Sequence, residues 1–275
     1  MGTMPAEESK DAILRLTPSG QLDLWSEKER GTPNAFLRSA LFAAIQSDSR
    51  QTTQGWQPGT EEVVRGPAII SQEGYAIEYA GVQLNQYDLD VWLAAIHLVR
   101  SKPLETICTF LGSEFLQAIG RKDGLGQYED LKNSLDRLTS GSVRITNGRY
   151  VFFGHLISNY ILDKETKAFR VRFAEEILTL FGYGEWTKLY RQERQALQGK
   201  NLALWLHGYY ASHAKPYPVT VEFLHKLSGS RAKAMRSFKA KLKEAFRELE
   251  AVTDIRATFD KDKIKVEHIP RNTPR

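Results

Sequence analysis

Between Ser230 and Lys243 the chain places six basic side chains, Arg231, Lys233, Arg236, Lys239, Lys241 and Lys243, with no acid among them. Cations at this density suit a row of phosphates. Acids enter only at Glu244, Glu248 and Glu250. Through the same stretch Met235, Phe238, Leu242, Phe246 and Leu249 step by 3, 4, 4 and 3, so the spacing predicts a helix over Ser230–Glu250 with one apolar stripe. Lys233, Arg236, Lys243 and Arg247 fall on the opposite side. The helix dipole favours cations at the C-terminal end, and a solvated helix mixes signs for i,i+4 pairing. Neither explains cations crowded at the start, whereas a helix whose first turns enter a major groove does. Arg231 and Arg236 are then the expected guanine readers, and Lys233, Lys239 and Lys243 the phosphate anchors. Ser230, Lys241 and Arg247 complete this DNA-binding set; the plainer alternative is a solvated basic face.

A weaker equivalent occurs earlier. Over Gln127–Thr139, Tyr128, Leu131, Leu135 and Leu138 form a stripe, with Glu129, Asp130, Lys132, Asn133, Asp136 and Arg137 outside. This mixed face suits a helix beside a nucleic-acid backbone or against a protein. Arg121 and Lys122 before it, Lys132, Asn133 and Arg137 on it, and Arg144 and Arg149 on the following hairpin are candidate contacts. Near the N-terminus, Gln21-Leu22-Asp23-Leu24-Trp25 sets three apolar residues in a polar segment, which is costly without a pocket to receive them. The pentapeptide resembles the Gln-Leu-Asp/Ser-Leu-Phe motif with which replication and repair proteins bind the bacterial sliding clamp, with Trp25 in place of Phe. The alternative is a short strand packed on the first domain.

Enzyme signatures are missing from the sequence: there is no G-x-x-x-x-G-K-[ST], H-x-H, H-E-x-x-H or G-x-S-x-G. Glu222 and His225 share a helix face without a third ligand, and Gly120–Gly126 reads as a turn. Cys108, the single cysteine, excludes a disulfide within the chain and reads as a small core residue. The expectation is a protein without catalytic residues, metal or cofactor.

Elements to position these residues follow from length and pattern. The 275 residues suggest two domains at about 100–200 residues each. Apolar runs such as Ala40–Ile45 fall far short of the ~20 residues that span a bilayer. No signal peptide is visible either, so a cytoplasmic protein without membrane contact is expected. Residues 215–275 hold 15 Lys/Arg against 8 Asp/Glu, whereas the rest is near neutral, which localises an anionic partner on the C-terminal quarter. Residues 1–33 read as a flexible arm and Asn34–Ile45 as a helix with Asn34 as cap. Strand pieces lie within 62–80, and a helix runs from Tyr87 to Val99. Then come a short helix around Glu114–Ile119, the Gln127–Thr139 helix and a hairpin of Val143–Ile145 with Tyr150–Phe153 about Asn147-Gly148. His155–Leu162 and Ala168–Phe173 are further strands. A helix over Leu189–Ala211, a Thr220-capped helix over Val221–Leu227, the basic helix and a hairpin of Ile255–Phe259 with Ile264–Ile269 repeat the order. This is an α+β chain of two tandem winged-helix (helix-turn-helix) domains, 34–184 and 185–275, behind the arm.

Pro33–Ile45 (PNAFLRSALFAAI), Leu84–Arg100 (LNQYDLDVWLAAIHLVR), Gly199–Ser212 (GKNLALWLHGYYAS) and Pro216–Ser230 (PYPVTVEFLHKLSGS) are long, unusual strings. On them the chain resembles the TrfA family of plasmid replication initiators from about Leu14 to Ile269. The resemblance implies binding to tandem direct repeats (iterons) in double-stranded origin DNA and opening of an AT-rich segment, exposing single strands. It further implies recruitment of the host initiator and helicase, a clamp motif in the arm, and copy control through a monomer that self-associates as an inactive dimer. Leu84–Val99 and its neighbouring strands are the expected self-association face. A winged-helix transcriptional regulator without replisome partners, and a clamp adaptor, are the alternatives.

Overall fold

In the computed structural model, which describes residues 25–53, 68–100, 107–147, 151–182 and 185–269, one succession of elements occurs twice. The first unit runs through α2 (Gln86–Val99), β7 (Cys108–Leu111), α3 (Gly112–Ala118), α4 (Leu125–Ser140) and the hairpin β10 (Asn159–Leu162) and β11 (Ala168–Arg172). The second runs through α6 (Asn201–Ala211), β13 (Val219–Thr220), α7 (Val221–Leu227), α8 (Met235–Val252) and the hairpin β14 (Ile255–Asp260) and β15 (Lys263–His268). In both, the lone strand pairs antiparallel with the second hairpin strand, Phe110 opposite Phe169 and Val219 opposite Ile264. The sheet orders are β10-β11-β7 and β13-β15-β14.

The first hairpin differs from the sequence expectation. β8 (Ser142–Thr146) and β9 (Val151–His155) pair as anticipated, with Ile145 opposite Phe152. They are an insertion, however, and the unit's own hairpin is β10–β11. Val143 and Ile145 point inward and need apolar partners, which they find on β5 (Ala76–Val82), where Ile77 lies opposite Ile145. With β3 (Thr52–Thr53) and β4 (Ala68–Ile69) these strands form a five-stranded sheet of their own.

Three further expectations are corrected. The expected arm packs from Trp25 onward: β1 (Glu29–Pro33) pairs with β12 (Trp186–Tyr190). Residues 1–24 lie outside the described residues. Asn34–Ile45 is helical only in α1 (Asn34–Leu37); Phe42–Ala43 form β2, parallel to β6 (Leu84–Asn85). A short run buried on all sides carries no period, so its apolar character cannot separate helix from strand. Asn34 is not a cap; its Oδ1 accepts from the Thr187 hydroxyl at 2.7 Å. The expected long helix over Leu189–Ala211 is a strand followed by α5 (Arg191–Ala196) and α6, broken at Gly199, whose φ of +80° is left-handed.

Two cores result. One gathers Trp25 to Leu189 around Trp92, and the other gathers Leu197 to Val266 around Trp205, Phe238 and Phe246. Their seam is dense in specific bonds: Trp205 Nε1 donates to the Ser39 carbonyl (3.1 Å), Ala44 N to Ser228 O (2.7 Å) and Asn201 Nδ2 to Ile45 O (2.6 Å).

Within the first unit a buried carboxylate organises the helices. Asn85 caps α2 by accepting from Tyr87 and Asp88 N–H, and Asp88 Oδ2 accepts in return from Asn85 N at 2.9 Å. The same carboxylate, fully buried, accepts from Arg50 Nη2 (2.7 Å), Arg137 Nη2 (2.8 Å) and the Ser134 hydroxyl (2.7 Å). Removing one member of a buried ion-pair network strands the others in low dielectric, at about 3–5 kcal/mol. Asp88→Ala is therefore expected to cost that much in urea unfolding; a change below about 1 kcal/mol, the range of exposed pairs, would show that Asp88 carries no such role.

Candidate nucleic-acid interface

The basic segment folds as its stripe requires. Phe238, Leu242, Phe246 and Leu249 of α8 are buried, each worth about 1.5–3 kcal/mol on transfer from water. Thr220 caps α7 as expected, its hydroxyl accepting from Phe223 N at 3.1 Å. α7 closes at Gly229, whose φ is +64°; a Cβ there would sit 2.9 Å from that of Ala43. α8 begins later than the periodicity suggests, at Met235, so Ser230, Arg231 and Lys233 lie in the turn that leads into it. Arg231 donates through Nη2 to Gln83 Oε1 of the first unit. Met235 is not part of the buried stripe; it is 41% exposed.

The exposed face of α8 carries Arg236, Lys241, Lys243 and Arg247. Lys239 does not stand free for a phosphate. Its ammonium donates to Lys261 O (2.6 Å) and Asp262 Oδ1 (2.8 Å), joining the helix to the turn between β14 and β15. Lys243 lies 5.6 Å from the ring centre of Phe259 on β14. Acids of the last turns are used structurally: Glu248 pairs with Lys200 at 3.3 Å, and Glu250 accepts from Ala257 N at 2.9 Å. Of the cations in the first half of the helix, Lys239 is thus paired, whereas Arg236, Lys241 and Lys243 stay exposed, with exposed Glu244 following them and a turn that alternates Asp260, Lys261, Asp262 and Lys263 alongside. Sequence reading missed those two lysines; the signal was a four-residue turn, Asp260–Lys263, that alternates acid and base.

Helices α4 and α8 share another property. Neither receives a side-chain cap, and neither has an acid in its first turn, so the free N–H groups and positive dipole end of each stay open to an anion. Their flanks differ. On α4, Asn133 is exposed and Lys132 pairs with Glu129 at 3.7 Å. Arg137 is not a phosphate contact, because Asp88 holds it. Lys122 is exposed, while the Arg121 guanidinium lies 5.1 Å from the Tyr87 ring centre. Arg144 faces the Phe153 ring and Glu78, and Arg149 lies outside the described residues.

Trp25, expected as an exposed apolar residue, is 4% exposed. Its ring stacks on Phe181 (5.7 Å) and meets Trp186 (5.8 Å), beside Gly31, where a Cβ would fall 2.3 Å from the indole. The indole N–H donates to His97 Nδ1 at 3.0 Å, and His97 Nε2 donates to Glu27 Oε2 at 3.1 Å. Burial and the neighbouring Arg30 push the His97 imidazolium down to about 4, consistent with a neutral ring that accepts. Hydrogen bonds from His97 and Arg100 hold Glu27 at about 2. Gln21, Leu22, Asp23 and Leu24 lie outside the described residues.

Glu222, His225 and Cys108 are engaged locally. His225 Nε2 donates to Ala232 O (2.9 Å) and Glu222 pairs with Lys226 (2.7 Å), so they face different partners. Cys108 is buried in β7. Among the described residues no group of three His, Cys, Asp or Glu is placed to hold a metal, and no helix is long and apolar enough to cross a membrane. Leu84–Val99 is not a free face: α2 is packed from several sides and Leu98 alone of it is exposed. Exposed apolar side chains occur instead on edge strand β9, at Val151 (58%) and Phe153 (60%).

The chain is similar over most of its length to known initiators. A relative, the plasmid replication initiator protein TrfA of Escherichia coli, is 26% identical over 234 residues, which is 82% of this chain and 58% of that protein. The chain thus spans less than two thirds of that relative. Domains 2 and 3 of RctB share the fold, with a TM-score of 0.57 at 15% identity, covering 86% of this chain and 98% of that one. The Pi initiator protein, solved in complex with iteron DNA, gives 0.52 at 13%, covering 68% and 95%. A family model described as TrfA protein matches residues 8–267. With that match running through both units and the seam between them, the chain belongs to the TrfA family.

Proposed function

We propose that the chain is a non-enzymatic plasmid replication initiator, built of two winged helices, that binds tandem direct repeats in double-stranded origin DNA. The observation that carries this reading is the exposed cationic set Arg236, Lys241 and Lys243 on the first half of α8, behind an uncapped N-terminus that has no acid in its first turn. The twice-built order of helix, strand, two helices and hairpin supports it, as do the family and the relative's description. Two reading helices on one asymmetric chain suit a direct repeat rather than a palindrome. Opening of an AT-rich segment, recruitment of host initiator and helicase, and copy control complete the proposed role.

Arg236 is the proposed guanine reader, worth about 1–3 kcal/mol of discrimination. Arg236→Ala is expected to lose that much affinity for origin repeats and far less for random duplex; equal losses would remove the base-reading role. With about six phosphates neutralised, log K is expected to fall with log salt at a slope of about −5, and a slope near −1 would contradict the extended footprint.

The clamp reading shares Trp25 with the core, so engagement of Gln21–Trp25 by a sliding clamp requires Trp25 to leave its cage. Leu22→Ala combined with Leu24→Ala leaves Trp25 in place. The pair is expected to abolish capture by purified bacterial clamp; capture that persists, or a native chain never captured, overturns the reading. Self-association is proposed on β9. Val151→Asp with Phe153→Ser is expected to stay monomeric in sedimentation where the native chain associates, and a native chain that is monomeric throughout contradicts it.

A further inference from the structure

The two units place an apolar side chain at one equivalent position. Leu125 is the first residue of α4 and Met235 the first of α8. They are 88% and 41% exposed, whereas the later apolar residues of both stripes, such as Leu131, Leu135, Phe238 and Leu242, are buried. Each follows a second helix that ends at a left-handed glycine, Gly120 (φ +78°) or Gly229 (φ +64°). Neither side chain serves a core, and scattered exposed apolar residues would need no explanation. Here the coincidence of position does.

We propose that Leu125 and Met235 are specificity-determining residues that press on the 5-methyl groups of thymines in the major groove. In a helix-turn-helix the first turn of the third helix reaches the base edges. There thymine offers a methyl group that apolar side chains read. The surroundings fit this occupant. Met235 is flanked by Lys233 and Arg236, which hold a phosphate backbone close. Leu125 stands between Gly124 and Gly126, where an added Cβ would meet nothing within 4 Å, so bare backbone lets the helix start approach the bases closely. The two modules then differ in what supports the contact: α8 adds charge, and α4, whose outward face carries Glu129 and Asp130, relies more on the apolar reading.

This inference rests on the DNA-binding reading, and one experiment separates their failures. The tightest duplex is selected from a random-sequence pool with the full chain. Each of its thymines is then replaced singly by deoxyuridine, which removes the methyl and leaves every groove hydrogen-bonding group. Binding is followed by fluorescence anisotropy for the native chain, Met235→Ala and Leu125→Ala. The native chain is expected to lose about threefold to fivefold at one thymine or a short run in each half of the site, the weight of one buried methyl. Met235→Ala loses the sensitivity in one half only and Leu125→Ala in the other, with unchanged melting temperatures. Specific binding that ignores every deoxyuridine, or sensitivity that survives both substitutions, overturns this proposal alone. A pool that yields no preferred duplex overturns the DNA-binding reading and this one with it.

Discussion

The carboxylate of Asp88 is the point from which the first unit hangs. It closes the cap of the central helix, binds Arg50 from the segment between β2 and β3, and holds Arg137 and Ser134 of α4. A charge with no exposure is tolerable only when its lone pairs are filled, and here cations and N–H or O–H donors fill them. The angle between α2 and α4 is thereby set by electrostatics as well as by apolar contact. Trp92, at the middle of α2, then meets Phe36, Phe173 and Phe181 in one aromatic cluster that reaches Trp25. The second unit gathers around apolar side chains instead. Its core is aromatic and aliphatic, with Trp205 bonded across the seam to Ser39.

What the sequence made legible was local. The stripe of α8, the Thr220 cap and the final hairpin each depend on residues within a few positions, so periodicity and turn chemistry suffice. What it hid depends on partners far along the chain. Arg137 looks like a surface cation until Asp88, 49 residues away, is found beneath it. Trp25 looks stranded until His97, 72 residues away, receives its N–H. Likewise β8 and β9 looked like the hairpin of the unit, because Asn-Gly turns mark hairpins without saying which sheet will take them. The exposure of Met235 was masked for a different reason: a helical period continued one turn upstream of the true start, where the chain is still turning.

The candidate interface was legible in its charge and not in its division of labour. Lys239 is part of the cationic run by sequence, yet in space it braces the β14–β15 turn. That turn, in which Lys261 and Lys263 alternate with Asp260 and Asp262, comes to lie against the helix through the Lys261 carbonyl and the Asp262 carboxylate. The identity of the family rests on the sequence match; the physical basis of its basic face rests on which acids are occupied elsewhere. Glu248 and Glu250 are bonded to Lys200 and to the backbone of β14, so they do not cancel the charge of the leading half.

Gly229 has a consequence for how the two halves vary. The turn that aims α8 is seated against Ala40 and Ala43, residues of the first unit, with no room for another carbon. A methyl group added at Gly229 would crowd the β2 segment of the first unit, and one added at Ala43 would crowd the turn that leads into α8. The alignment of the second module is thus written partly in the small side chains of the first, and the pair behaves as one gauge rather than two beads on a string. Cutting the chain between Leu189 and Leu197 would separate that turn from its alanine seat, and Trp205 from the Ser39 carbonyl, leaving α8 without a reference outside its own unit.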